Sequence, residues 1–187
     1  GAVSEKLVPA MALLFIGGSA VVLAVNASAL PGALEAIVTG ALTPSAAVGG
    51  GLGYGVARAM RYGVARGVFT NEAGMGSAPI AHAASDVKEP AEQGMWGIFE
   101  VFVATLVVCT MTALVILTTG VYHPAEALAA IQSGTVSDSM LGAPLSAAAF
   151  STVYGPWGGA FVAVCLLLFA FTSLLGWCYH GGRGLQD

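Results

Sequence analysis

The chain has 187 residues, of which 57% are hydrophobic and only 9% charged, with a formal net charge of −4. So few charges cannot cover a water-soluble globule of this length, and the mean hydropathy of +0.83 points to a membrane protein. The charge is spread thinly, with neither a basic stripe nor an acidic tail, so nucleic acid is excluded as a partner.

Leu7 to Val25 carries no charge and, at 1.5 Å per residue, is long enough to cross roughly 28 Å of hydrocarbon. This is the first expected span, 7–25. The residues before it contain no initiator Met and no charged segment followed by a cleavage site, so the run does not read as a signal peptide. Asn26 to Gly32, with Pro31, makes a short turn. Ala33 to Ala57 has the length for a second crossing, although Glu35 and a run of breakers lower its hydropathy. Gln93 to Gly120 gives a third span, interrupted only by Glu100, and Gly158 to Cys178 a fourth, dense in Leu and Phe. Between these two, Val121 to Trp157 reads as a polar, small-residue connection, with a short surface helix over Glu126 to Ile131. The expected spans are thus 7–25, 33–57 (broken), 93–120 and 158–178 of a single all-α membrane region. Cys109, Cys165 and Cys178 lie in apolar runs without metal-ligand spacing and read as small hydrophobes.

The six cations orient these spans. Lys6 precedes the first, Arg58, Arg61, Arg66 and Lys88 fall between the second and third, and Arg183 follows the fourth. If the second segment crosses, all lie on one side, which the positive-inside rule makes cytoplasmic; if it does not, the bias collapses. Trp96 and Trp157 fall near span ends, where aromatic side chains anchor at the interface.

The second segment contains Leu42 to Gly55, Leu-Thr-Pro-Ser-Ala-Ala-Val-Gly-Gly-Gly-Leu-Gly-Tyr-Gly. Pro44 removes an amide and clashes with the preceding turn, and each Gly costs about 1 kcal/mol relative to Ala in a helix interior. Backbone groups freed inside hydrocarbon need partners, so such a break survives only buried in protein or lining a wet cavity. It is a candidate binding site. Gly51-Leu-Gly-Tyr-Gly55 has some likeness to a potassium-channel filter. However, the first position is Gly rather than Thr, no amphipathic pore helix precedes it, and Arg58 and Arg61 follow at once. Close helix packing through small residues is the more ordinary reading. Nucleotide binding is not expected, because no Lys-Ser/Thr follows these glycines and no strand precedes them.

Arg66 to Pro79 interleaves Asn71, Glu72 and Ser77 with small residues. Catalysis would need a nucleophile beside a base, and the nearest His is His82, so an enzyme is not expected. A compact cytoplasmic loop is the better reading. In the fourth span, Thr172-Ser173 places adjacent hydroxyls in hydrocarbon. They can bond back to the preceding turn or offer oxygen ligands to a hard cation. Trp177 lies four residues beyond Ser173 and shares its face.

Three segments together carry a family resemblance. They are Ala47-Val-Gly-Gly50, Tyr62-Gly-Val-Ala-Arg-Gly-Val-Phe-Thr-Asn-Glu-Ala-Gly-Met-Gly-Ser-Ala-Pro79 and Phe169-Ala-Phe-Thr-Ser-Leu-Leu-Gly-Trp177. They closely resemble the alanine or glycine:cation symporters, which are more than twice this length, so the chain is expected to be an internal piece of one. The resemblance implies a LeuT-type inverted-repeat fold with discontinuous helices, the four spans corresponding to the fifth to eighth core helices. It implies a secondary active transporter of the cell membrane (the inner membrane in a Gram-negative source) that imports alanine, glycine or a similar small neutral amino acid with sodium. The alternatives are a cation-channel pore subunit or a structural membrane subunit. Carried over by position, the substrate would touch Leu42, Thr43, Ser45, Ala46, Gly49, Gly50, Ser173 and Trp177, and sodium would be held by Thr172 and Ser173. Sodium is cargo here, and no cofactor is implied. Leu42 stands where many members have Phe, and Cys178-Tyr-His-Gly departs from the Tyr-Tyr-Gly-Glu that commonly follows the tryptophan.

Overall fold

The computed structural model describes residues 2–42, 61, 63–65, 67–72, 74, 76–83, 85–123, 133 and 142–184. Among them there are helices and turns and no strand. The chain divides into two compact units, one made of Gly1–Leu34 with Val103–Cys178, the other of Glu35–Phe102 with Tyr179–Asp187.

The first unit is built on α1, Ala2–Val25, which takes Pro9 within its length. Asn26 ends it: both its amide and its side-chain Nδ2 donate to the carbonyl of Val22, at 3.1 and 2.9 Å. A 3-10 turn over Ala27–Ala29 leads into α2, Leu30–Leu42, with Pro31 in its first turn, where a missing amide costs nothing. The helical chain resumes in this unit as a π-wound segment, Val103–Cys109, followed by Thr110–Thr118. The Gly120 backbone, at φ 70, ends the latter.

The expected connection after Val121 is where sequence and structure part. It contains a helix, Gly142–Tyr154, whose Ala149 and Phe150 are wholly buried with Val22, Val115 and Val162. Small residues explain the miss. Ala and Ser lower the hydropathy of this stretch, yet they let helices approach closely, which is what burial between membrane helices rewards. Its own hydroxyls are silenced locally, with Ser151 donating to Ala147 O at 2.7 Å and Thr152 to Ala149 O at 2.7 Å. Glu126 to Ile131, the expected surface helix, lies outside the described residues.

Gly155, at φ 56, turns the chain into the last helix, Trp157–Gly184. A Cβ at Gly158 would collide with the backbone amide of Ser151, so these two helices meet main chain to main chain. Numbered in chain order, Ser77–His82 is α3, Pro90–Phe102 α4, Thr110–Thr118 α5, Gly142–Tyr154 α6 and Trp157–Gly184 α7. In the first unit α5 packs against α1 and α6, and α1 against α6.

The inner face of α1 runs through Met11, Phe15, Gly18, Ser19 and Val22, while Leu13, 70% exposed, and Val25 point outward. Gly18 and Ser19 lie inside among larger apolar residues while Leu13 and Val25 face out, which suits a helix in lipid, where tails are as apolar as Leu. On α7 the inner stripe is Phe161, Val162, Cys165, Phe169 and Thr172. Of the cysteines, Cys165 is buried, whereas Cys109 and Cys178 are exposed on their helices.

Among the described residues, three helical stretches are long and apolar enough to cross a membrane: Lys6–Val25 (20 residues), Pro90–Thr118 (29) and Trp157–Tyr179 (23). Ala27–Val38 is a shorter apolar helix, and the rest of the expected broken span, from Thr43, lies outside the described residues.

In the second unit, residues 67–70 of the Arg66 to Pro79 stretch are helical rather than loop. The turn beyond puts Glu72 at φ 50, Gly74 at φ 78 and Gly76 at φ 81 before α3 begins. Two glycines at left-handed positions explain the small-residue spacing of this motif. The α3 end is tied to α4 through His82, whose Nδ1 lies 2.6 Å from Gln93 Nε2 and whose Nε2 would sit 3.5 Å from a Cβ at Gly97.

Candidate functional site

Thr172 lies on the inner stripe of α7. Its Oγ1 is 3.0 Å from the carbonyl of Leu168 and 2.9 Å from that of Phe169, the geometry of a hydroxyl bonded back into its own helix. This does not compete with binding a cation. A hydroxyl has one proton and two lone pairs, so donating inward leaves oxygen lone pairs for an electropositive ligand. Across the helix boundary, Met11 Sδ of α1 stands 3.8 Å from the same oxygen. Met11 is only 5% exposed, and one turn further along α1, Phe15 meets Phe169 edge to face at 6.1 Å. The Thr172 turn is therefore seated on α1 through a thioether and an aromatic pair.

Ser173 is exposed, one helical position round from Thr172. Trp177, 54% exposed, continues that outer face one turn on. Ser173 and Trp177 thus share a face, and Thr172 belongs to the neighbouring one, turned toward α1. Leu42 is the last residue of α2. Thr43, Ser45, Ala46, Gly49 and Gly50 lie outside the described residues, so the broken-helix half of the candidate site does too.

The structure adds a polar cluster that sequence reading missed. Tyr154, closing α6, donates its hydroxyl to the carbonyl of Gly18 in α1 at 3.0 Å. Tyr154 stacks on Phe161 at 5.7 Å, and a Cβ on Gly18 would strike that Phe161 ring. Beside Gly18, Ser19 is fully buried and its Oγ has no hydrogen-bond partner among the described residues. Two glycines and a serine in a row within the first span were the available signal, since such sets mark where helices bend or pack closely.

Apolar helices with buried small and hydroxyl residues on their inner faces define a multi-pass helical membrane protein. The chain belongs to the sodium:alanine symporter family, whose family model matches residues 1–186. It is 41% identical over 181 residues to an uncharacterized transporter of Haemophilus influenzae, covering 96% of this chain and 37% of that protein. It is 38% identical over 183 residues to the sodium/alanine symporter AgcS of Methanococcus maripaludis, covering 98% and 37%. A probable sodium/glutamine symporter, GlnT of Bacillus subtilis, is 39% identical over 178 residues, covering 95% and 34%. The chain spans little more than a third of the length of these curated relatives.

Proposed function

We propose that the full-length protein carrying this chain is a secondary active transporter that moves alanine, glycine or another small neutral amino acid inward across the cell membrane together with sodium. The family match over residues 1–186 carries the reading, supported by relatives named as sodium/alanine and probable sodium/glutamine symporters. That match gives no support to a channel pore. In this reading the chain supplies the fifth to eighth core helices of a LeuT-type fold, and the segment from Leu42 to Gly50 interrupts the sixth. The substrate carboxylate meets free amides opening its second half, and the amino group meets carbonyls ending the first, near Thr43, Ser45, Ala46, Gly49 and Gly50.

Thr172 and Ser173 contribute sodium ligands, and Ser173 and Trp177 face the substrate. The back-bonded Thr172 supports this, because its proton is already spent within the helix. The exposed face bearing Ser173 and Trp177 leaves room for other parts of the full-length protein. Sodium favours the state that binds substrate, and its gradient plus the membrane potential, about 2.3 kcal/mol per charge per 100 mV, drives uptake.

The test is uptake of labelled alanine by full-length protein in proteoliposomes. An imposed inward sodium gradient should drive accumulation. Sodium current without amino acid, or uptake indifferent to sodium, would refute the reading.

A further inference from the structure

The cluster around Gly18 joins α1 to two consecutive helices, α6 and α7, that are remote from it in sequence. The Gly18 carbonyl lies in mid-helix, where the α-helical ladder already supplies a donor four residues on, yet Tyr154 gives it a second at 3.0 Å. The Tyr154 ring is held in place by Phe161 at 5.7 Å and Phe150 at 6.3 Å, and Phe161 reaches the main chain because Gly18 has no side chain.

The next residue stands in the opposite condition. Ser19 Oγ is buried without a partner among the described residues, which leaves a polar group desolvated and unpaired there. The ordinary remedy for a serine in a helix is to bond to the carbonyl four residues back, here that of Phe15, and that bond tends to bend the helix. Gly17, with nothing within 4 Å of where its Cβ would be, and Gly18 supply the backbone freedom for a bend at this turn.

We infer that Gly17-Gly18-Ser19 is a two-state joint in α1: a latched form held by the Tyr154 hydroxyl on Gly18, and a released, bent form held by the Ser19 hydroxyl on Phe15. Each form satisfies a hydroxyl that the other leaves free. Phe15 transmits the change, because its ring meets Phe150 of α6 at 6.0 Å and Phe169 of α7 at 6.1 Å, one turn before Thr172. Tyr154 is in this sense a positioning residue, acting on the Thr172 turn through α1. That last step rests on the proposed function; the joint itself does not.

The experiment is amide hydrogen exchange of residues 18–23 in the full-length protein, comparing Tyr154→Phe, Ser19→Ala and the double variant. Tyr154→Phe keeps the stacked ring and removes the latch, so exchange should rise about three- to tenfold, the scale of one interhelical hydrogen bond in a membrane. Ser19→Ala removes the released form's bond, so exchange should fall, and the double variant should return toward wild type. If both single variants raise exchange, or neither changes it, the cluster is packing and the joint is refuted. Should Tyr154→Phe not fold, Ser19→Ala decides alone: a fall supports the joint, and a rise or no change overturns it. Sodium-driven alanine uptake is measured alongside. Opposite exchange shifts in a protein that shows no such uptake would leave the joint standing and sink the transport reading, and normal uptake without those shifts would do the reverse.

Discussion

The thioether of Met11 stands 3.8 Å from the hydroxyl of Thr172, on helices 161 residues apart in the chain, and the hydroxyl also reaches two carbonyls of its own helix. Sulfur is a weak acceptor and a poor ligand for a hard cation, so in the proposed function Met11 would seat Thr172 without competing for sodium. If the proposed sodium site is right, Thr172→Val in the full-length protein should raise the sodium concentration for half-maximal uptake on the order of tenfold through loss of an oxygen ligand. Met11→Leu, which keeps the volume, should leave it within about twofold. Ser173→Ala should raise both the sodium requirement and the alanine KM. Unchanged sodium dependence in well-expressed Thr172→Val and Ser173→Ala proteins would make both hydroxyls structural.

The proposed break from Leu42 to Gly50 predicts a sharper loss. On that reading Gly49→Leu should abolish alanine binding by filling the space where backbone would approach substrate, whereas Gly49→Ala should be partly tolerated. Protection by alanine against heat, measured on detergent-purified full-length protein, reads this directly. A folded Gly49→Leu protein with wild-type affinity would remove the site from this segment.

Phe150 is wholly buried and meets the rings of Phe15, Tyr154 and Phe161. Phe150→Ala should cost about 2 kcal/mol, mainly the cavity contribution, since lipid already removes much of the transfer contribution. Leu167→Ala, at a position 67% exposed on α7, should lie within about 0.5 kcal/mol of wild type. Equal losses in reversible unfolding would contradict the placement of α6 in the core.

The distribution of the six cations predicts topology. On a cysteine-free background in intact cells, an impermeant thiol reagent should label a cysteine at Asp138 and spare one at Lys88. Labelling of both from outside would show that the segment from Ala33 to Ala57 does not cross.

How much of this was legible follows from what hydrocarbon selects. The runs that became α1 and α7 announce themselves because a lipid-facing helix must carry Leu, Val and Phe outward, and Asn26 and Gly120 mark helix ends by chain chemistry that needs no partner. Helix α6 does not announce itself. Its burial depends on Ala149 and Phe150 fitting against Val22, Val115 and Val162, and no hydropathy window measures fit. Nor does Val-Ala-Thr-Leu-Val-Val-Cys betray the π winding of Val103–Cys109, since nothing in those residues prefers it to α. For the candidate site, the Tyr62 to Pro79 motif was readable as a family mark and Thr172 as a hydroxyl in lipid. The Tyr154 to Gly18 bond was not, because a tyrosine before Gly-Pro gives no hint of a carbonyl 136 residues away.

The two crowded glycines of this unit should leave different signatures in a saturation mutagenesis library. A side chain at Gly18 meets the Phe161 ring, which can yield or be trimmed, so harmful alleles there should have second-site suppressors at Phe161. A side chain at Gly158 meets the backbone amide of Ser151, and no codon change at position 151 removes a main chain. Position 158 should therefore be intolerant of every replacement, alanine included, and without a suppressor at position 151.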